Sequence, residues 1–233
     1  NLYLLSKDSL DIGETLRFGI AFKNISKTAF DSLALKLMIL DQNNVQHFIN
    51  LPKKKPLVSG DSVIVQFDLD TRTYPGQNTL FLDVNPDNNQ PEQFHFNNFV
   101  YKNFYVKPDL KNPLLDVTFD GVHILNQDIV SAKPHILIKL KDDAKYLLLD
   151  DTSLLSVQVR FPNGQLRSYR FDGDTLQFHP ASSGLDNTAS VDFNPAFLSQ
   201  SSPEGDEYEL IVKGKDKSGN KAGEVEFRVT FRV

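Results

Sequence analysis

The chain has 233 residues, 40% of them hydrophobic, with 18 Phe and no Cys. This size and apolar content fit one large or two ordinary domains and argue against a disordered chain. The lack of cysteine excludes disulfides, thiolate metal ligands and cysteine nucleophiles. The net charge of −5 argues against a nucleic-acid binder.

Apolar residues alternate with polar ones in four segments of the first half. Such a period of two predicts strands with one buried face, because successive side chains of a strand point to opposite sides. Polar turn clusters such as "DQNN" and "TYPGQN" separate the segments. The residues expected inside are Leu16, Phe18, Ile20, Phe22, Leu33, Leu35, Leu37, Ile39, Val63, Val65, Phe67, Leu69, Leu80, Leu82 and Val84.

The segment "VKPDLKNPLLDV" predicts a domain boundary, since its two prolines interrupt the strand pattern. We place a linker at Lys107–Asn112 and expect two domains, residues 1–108 and 109–233. Up to Asn112 the chain has 12 basic and 12 acidic residues, and after it 13 basic and 18 acidic ones. The negative charge therefore belongs to the second half.

The second half repeats the alternation, and no long amphipathic helix is predicted. Many short strands separated by turns indicate an all-β protein of two tandem immunoglobulin-like antiparallel β-sandwiches. The residues expected inside are Val117, Phe119, Ile136, Ile138, Leu140, Leu155, Val157, Val159, Phe161, Val225, Phe227, Val229, Phe231 and Val233.

The stretch "LDVNPDNNQPEQFHFNN" contains the first group of candidate ligands, Asp83, Asp87 and Glu92. Calcium sites need several converging oxygens, often with a glycine in the loop, but this loop has no glycine and its spacing is not that of an EF-hand. Asp and Asn side chains also bond nearby backbone and hold bends. We favour the bend and keep a bound calcium ion as the alternative.

A second group lies in "KDDAKYLLLDDTS", with Asp142, Asp143, Asp150 and Asp151. These carboxylates would suit calcium, or a catalytic pair of the glycosidase type, but nothing in the sequence sets their separation. Adjacent loop aspartates are usually solvated, which is the interpretation we favour. The nearby "KDKSGN" indicates a hairpin before the last strand.

No catalytic residue is assigned. Gly-x-Ser-x-Gly and phosphate-loop motifs are missing, and the histidines lack metal-ligand spacing, so we expect them to be surface or strand residues. Exposed aromatic residues would instead suit sugar stacking, and the candidates are Tyr74, Tyr101 and Tyr169. The histidines are His47, His95, His123, His135 and His179.

The first half resembles the CARDB module, a bacterial immunoglobulin-like domain of adhesion type. The resemblance rests on "GETLRFGIAFKN" and on Asp83-x-Asn85-Pro86, Glu92 and Asn97–Asn98 before the last strand. It implies that these residues are architectural.

The second half resembles the region that follows the catalytic domain in gingipain-type cysteine peptidases of Bacteroidetes, most of all PorU-like proteins of the type IX secretion system. The segments concerned are "NPLLDVTFDGVHILNQDIVSAKPHILIKLKD", "YLLLDDTSL" and "EGDEYELIVKGKDKSGN". The family's chemistry uses a Cys–His pair in an upstream domain, so no catalytic residue carries over to this cysteine-free chain.

The resemblance implies a non-catalytic segment of a larger secreted or outer-membrane-associated bacterial surface protein, acting as a spacer, stabilising or docking module. Its expected partners are the other domains of the parent chain, with a cell-surface protein or glycan as the alternative for an adhesion module. We expect no cofactor other than the calcium already weighed. Because no apolar run reaches the length of a membrane span, we expect no membrane insertion.

Overall fold

The computed structural model describes residues 2–90, 92, 95–182, 185–197 and 206–233. The chain divides into two compact units, Asn1–Pro108 (unit 1) and Asp109–Val233 (unit 2). The regular elements of the described residues are strands and one short 3₁₀ turn, Thr152–Leu154. The predicted all-β fold of sandwich domains is confirmed. No helix in this part of the chain is long and apolar enough to cross a bilayer.

Unit 1 folds into a three-stranded sheet, in the order β1-β3-β6, and a five-stranded sheet, in the order β2-β8-β7-β4-β5. Pairing is antiparallel except between β2 and β8, which run parallel at the edge of the larger sheet. The strands are β1 (Leu2–Leu5), β2 (Ser9–Asp11), β3 (Thr15–Lys23), β4 (Leu35–Leu40), β5 (Gln46–Asn50), β6 (Ser62–Asp70), β7 (Gly76–Val84) and β8 (Phe99–Lys107).

The alternating residues of β3, β4 and β7 form the core of unit 1, as the sequence predicts. Leu16, Leu37 and Leu82 have no exposed surface, and the rest of the predicted set on these strands is also buried. In β6, Val63 and Phe67 are only partly buried and pack against the edge of the core. The period-two pattern therefore identifies the buried face of this sandwich.

Unit 2 has the same plan, with a four-stranded sheet in the order β14-β15-β11-β9 and a five-stranded sheet in the order β10-β17-β16-β12-β13. Here β10 runs parallel to β17 at a sheet edge, as β2 does to β8. The strands are β9 (Leu114–Phe119), β10 (Asp128–Ile129), β11 (Ile136–Asp142), β12 (Leu155–Arg160), β13 (Leu166–Ser168), β14 (Leu176–His179), β15 (Asn187–Phe193), β16 (Glu207–Gly214) and β17 (Phe227–Arg232).

Most of the predicted inner residues of unit 2 are buried. The prediction for Val225 is wrong, because this residue is 84% exposed. Ala222 still bonds the carbonyl of Gly214, while Phe227 pairs with Val212. The four residues between Ala222 and Phe227 therefore stand opposite a single residue of β16. They bulge out of the ladder, and β17 begins only at Phe227.

Candidate functional site

The loop after β7 is held by Asn85, which has a left-handed backbone (φ 60°) and is 1% exposed. Its side-chain oxygen accepts from the N–H of Gln90 at 3.1 Å, and its amide donates to the Gln90 carbonyl and to Glu92 Oε1. The other oxygen of Glu92 accepts from the amide of Asn98, which also donates to the Val84 carbonyl. This network closes the loop on itself and supports a bend; Pro91, Gln93 and Phe94 lie outside the described residues.

The three candidate ligands of this loop are not brought together. Asp83 is buried and lies 3.1 Å from Nε2 of His95, and Asp87 is exposed. Burial raises the pKa of Asp83, and the charge of His95 opposes that rise. Within the described part of the chain, Asp83, Asp87 and Glu92 do not form a group of converging ligands.

Three of the four aspartates after β11 serve separate local roles. Asp143 pairs with Lys111, and Asp150 pairs with Lys217 at 2.5 Å. Asp151 precedes the 3₁₀ turn and accepts from the N–H of Ser153 at 2.8 Å, which lowers the pKa of this carboxyl. None of the three joins Asp142 in the cluster of carboxylates described next.

Asp142 instead meets Asp109 and Asp216, and one ligand oxygen of each lies within 4.8 Å of the other two. We call these three side chains the acidic cluster. Asp109 begins unit 2, Asp142 ends β11, and Asp216 follows β16. Asp142 and Asp216 are 5% and 1% exposed, and Asp109 is half-buried. Asp142 is among the candidates that the sequence offers, whereas Asp109 and Asp216 are not.

Neutral hydrogen-bond donors hold both carboxylate oxygens of Asp109 and of Asp216. Asp109 accepts from the N–H of Lys111 and the hydroxyl of Ser218, at 3.1 and 3.2 Å. Asp216 accepts from the N–H and the side-chain amide of Asn220, both at 2.8 Å. The Asn220 amide also donates to the backbone carbonyl of Asp109 at 3.1 Å. The turn after β16 is thus tied to the first residue of unit 2.

Asp142 is the least satisfied member of the cluster. Its Oδ1 accepts from the N–H of Asp143 at 2.8 Å, but its buried Oδ2 has no hydrogen-bond partner. Burial, together with the charges of Asp109 and Asp216, raises the pKa of Asp142 to about 6. Burial likewise raises the pKa of Asp109.

Asn187 positions the loop that follows Asp142. This side chain is 2% exposed and donates to the carbonyls of Ala144 and Leu147, at 2.9 and 3.0 Å. Its oxygen accepts from the N–H of Leu149 at 2.8 Å. All its hydrogen-bonding groups therefore serve the loop, which returns Leu147 and Leu149 to the core.

Each of the five histidines pairs with an aspartate on a strand or loop. His135 and His179 flank Asp192 on the outer side of β15, each with its Nε2 at 2.7 Å from a different carboxylate oxygen, and these bonds lower the pKa of Asp192. The remaining pairs are His47–Asp41, His95–Asp83 and His123–Asp116. All five lie on strands or surface loops, as the sequence predicts.

Of the three tyrosines considered for sugar stacking, only Tyr101 is largely exposed, at 67%; Tyr74 is buried, and Tyr169 packs against Phe193. Tyr101 lies on the outer face of the five-stranded sheet of unit 1, with its ring 4.8 Å from that of Phe81. Phe81 in turn stacks on Phe99 at 5.6 Å. We call Tyr101, Phe81 and Phe99 the aromatic row.

Comparison with known proteins does not assign a family: no family model matches the chain, and no curated protein matches it. Similar solved structures include red sea bream transglutaminase, with a TM-score of 0.33 at 9% identity over 100% of this chain and 31% of that one. Dimeric latent PorU from Porphyromonas gingivalis gives a TM-score of 0.36 at 11% identity, over 98% of this chain and 22% of that one.

The chain thus spans less than a third of either protein. Likenesses with such TM-scores and identities carry no argument about function. The CARDB and gingipain-type resemblances stay predictions.

Proposed function

We propose that this chain is a non-catalytic tandem β-sandwich segment of a larger secreted or cell-surface protein of gingipain type, exported through the type IX system. It acts there as a spacer, stabilising or docking module for the other domains of the parent chain. The observation that supports this most is that each unit has its own complete hydrophobic core. Such units hold a defined length and shape without a partner.

The positions of the acidic candidates agree with this role. Asp143 and Asp150 form ion pairs, Asp151 caps a turn, and Glu92 holds a bend. A two-carboxylate hydrolase would instead need an acid and a base facing one another across a substrate cleft. Asp143, Asp150 and Asp151 are thus held in structural contacts, and Asp142 lies beside Asp109 and Asp216 rather than beside another member of the proposed pairs.

The test is made in the parent protein, with three forms: the intact chain, a deletion of residues 1–233, and a replacement by an unrelated tandem sandwich of similar length. Surface display, protease resistance and activity of the upstream domain are measured. A spacer predicts that the deletion fails and the replacement restores function. A docking module predicts that both fail. Normal export, stability and activity of the deletion would refute both roles.

The aromatic row favours a second candidate, an adhesion module that binds glycan or protein. The exposed ring of Tyr101 and the half-buried rings of Phe81 and Phe99 suit stacking against sugar rings or apolar side chains. Polar residues flank the aromatic row on both sides. At one end, Lys36 is the strand partner of Asp83, which in turn lies opposite Phe99. At the other end, Asn103 lies opposite Thr79 and accepts a hydrogen bond from its hydroxyl. Such polar groups would orient a ligand on the apolar platform.

A glycan array and a pull-down from cell-surface extract test this candidate with the wild-type chain, Tyr101→Ser and the control Tyr146→Ser. Tyr146 is also exposed, at 45%, but lies in unit 2. Binding that is lost only with Tyr101→Ser supports adhesion. Signals at background for the wild type, or equal signals for all three proteins, count against it.

A further inference from the structure

The acidic cluster carries three formal negative charges without an ion-paired cation among the described residues. Lys111 and Lys217, two bases close to the cluster in sequence, pair with Asp143 and Asp150 instead. Buried ions of like charge repel one another in a medium that screens them poorly, and each has also lost hydration. Such an arrangement needs a positive charge to be stable when ionised.

A second observation points to a ligand at the same place. Asp142 is 95% buried, and its Oδ2 is hidden from solvent without a hydrogen-bond partner. A buried carboxylate oxygen without a partner is costly, and native proteins rarely keep one without a bound ion or water. The carboxyl group that carries this oxygen is the one that lies next to the carboxylates of Asp109 and Asp216.

The surrounding hydrogen bonds have the form of a shell that orients metal ligands. Backbone N–H groups of Lys111, Asp143 and Asn220 and the hydroxyl of Ser218 each donate to a carboxylate oxygen of the cluster. Such outer donors fix the direction in which a ligating carboxylate points.

We propose that Asp109, Asp142 and Asp216 bind a divalent cation, with calcium as the preferred ion. The donor set is all oxygen, without His or Cys, which suits a hard cation rather than zinc or copper. Two oxygens on opposite sides of a calcium ion at about 2.4 Å are separated by about 4.8 Å, and the cluster falls within that span. The ligands come from three separate segments of the chain, an irregular arrangement that calcium tolerates better than magnesium.

The ion would clamp the entry of unit 2 to the end of β11 and the turn after β16. Its role is structural, so it goes beyond the proposed spacer or docking function and does not depend on it. Asp216, Ser218 and Asn220 alternate along that turn, and oxygen-bearing side chains at every second position are also a feature of calcium loops.

The experiment uses the whole 233-residue chain after treatment with chelator and dialysis. Calcium is added during isothermal titration calorimetry and thermal melts. We expect one site per chain and a rise of about 5–10 °C in the melting temperature at calcium about 100-fold above Kd. Magnesium at the same concentration should give a smaller shift.

Asp142→Asn and Asp216→Asn are the test variants, and each should weaken calcium binding by at least about 10-fold. The control is Asp172→Asn, which removes the same charge from an exposed position of unit 2 and should bind like the wild type. Without calcium, Asp142→Asn should melt at or above the wild-type temperature, because it relieves repulsion. This distinguishes a lost ligand from a damaged fold, even if Asp216→Asn does not fold.

The proposal is overturned if the wild type shows no saturable binding and no thermal shift up to about 10 mM calcium, which exceeds the Kd of the weakest extracellular calcium modules. It is equally overturned if Asp142→Asn binds calcium as tightly as the wild type. A larger shift with magnesium than with calcium would overturn the choice of ion.

Discussion

At the scale of single residues, a buried asparagine holds the conformation of one loop in each unit. Asn85 and Asn187 each satisfy a donor and an acceptor of the backbone that turns around them. An amide suits this role because it has both donors and an acceptor and bears no charge. The two asparagines have different neighbours in the sequence, yet they stabilise their loops in the same way.

Replacing Asn187 with Ala should reduce the free energy of unfolding by about 2–4 kcal/mol, because three backbone groups of the following loop lose their partner. Denaturant unfolding of the full chain measures the change. Asn112→Ala serves as the control, since Asn112 is exposed. A loss below about 0.5 kcal/mol for Asn187→Ala would show that water replaces the amide at no cost.

The raised pKa of Asp142 predicts an unusual dependence of stability on pH in the metal-free chain. Its folded value of about 6 lies above the unfolded value of about 3.9, so the folded chain binds more protons between these values. The contribution of this group to stability should therefore increase as the pH falls from 7 to 4, by on the order of 1–2 kcal/mol.

The comparison is between the wild type and Asp142→Asn, both in chelator, by denaturant unfolding at pH 7, 6, 5 and 4. Subtracting the two curves removes the titration of the groups that do not interact with Asp142. A difference that does not change with pH would mean that folding leaves the pKa of Asp142 at its unfolded value.

At the scale of strands, the sequence predicts burial well where the ladder is regular. Leu16, Ile138 and Val157 alternate with polar neighbours and are buried as expected, because a period of two follows from local backbone geometry. Val225 continues the same alternation in the sequence, but it is exposed in the structure. Whether a residue joins a ladder depends on the register of its partner strand, and the four-residue bulge opposite β16 leaves no mark in the local pattern.

Two valines near the C-terminal end of the chain test this difference. Val229→Ala should cost about 1–2 kcal/mol, because Val229 is 4% exposed and its truncation leaves a small cavity. Val225→Ala should change stability by less than about 0.5 kcal/mol, since the side chain is already in solvent. Equal losses for the two variants would show that β17 extends through the bulge in solution.

The acidic cluster shows where sequence reasoning stops. Asp142 was a candidate because it lies in an acidic run, but the neighbours in that run, Asp143 and Asp150, point to other partners. Asp109 and Asp216 are far apart in sequence, and they meet because the first residues of unit 2 and the turn after β16 both lie at the end of β11. The one local signal was the alternation of Asp216, Ser218 and Asn220, which also fits a plain hairpin.

At the scale of the whole molecule, each unit satisfies the requirements of an independent domain. One core cluster is built only from residues of unit 1 and the other only from residues of unit 2, and each unit contains two sheets. Units of this size bury enough apolar surface to fold alone. The prolines near the division also keep the connecting segment from extending either sheet.

Fragments 1–108 and 109–233 should therefore each fold when expressed separately. We expect a β-type far-ultraviolet spectrum and a cooperative melt from both, with transitions that match those of the full chain. If the acidic cluster binds calcium, the ion should shift only the melt of 109–233, because all three ligands lie in unit 2. A non-cooperative melt of either fragment would show that its core needs the other unit, and a calcium shift in 1–108 would place the ion elsewhere.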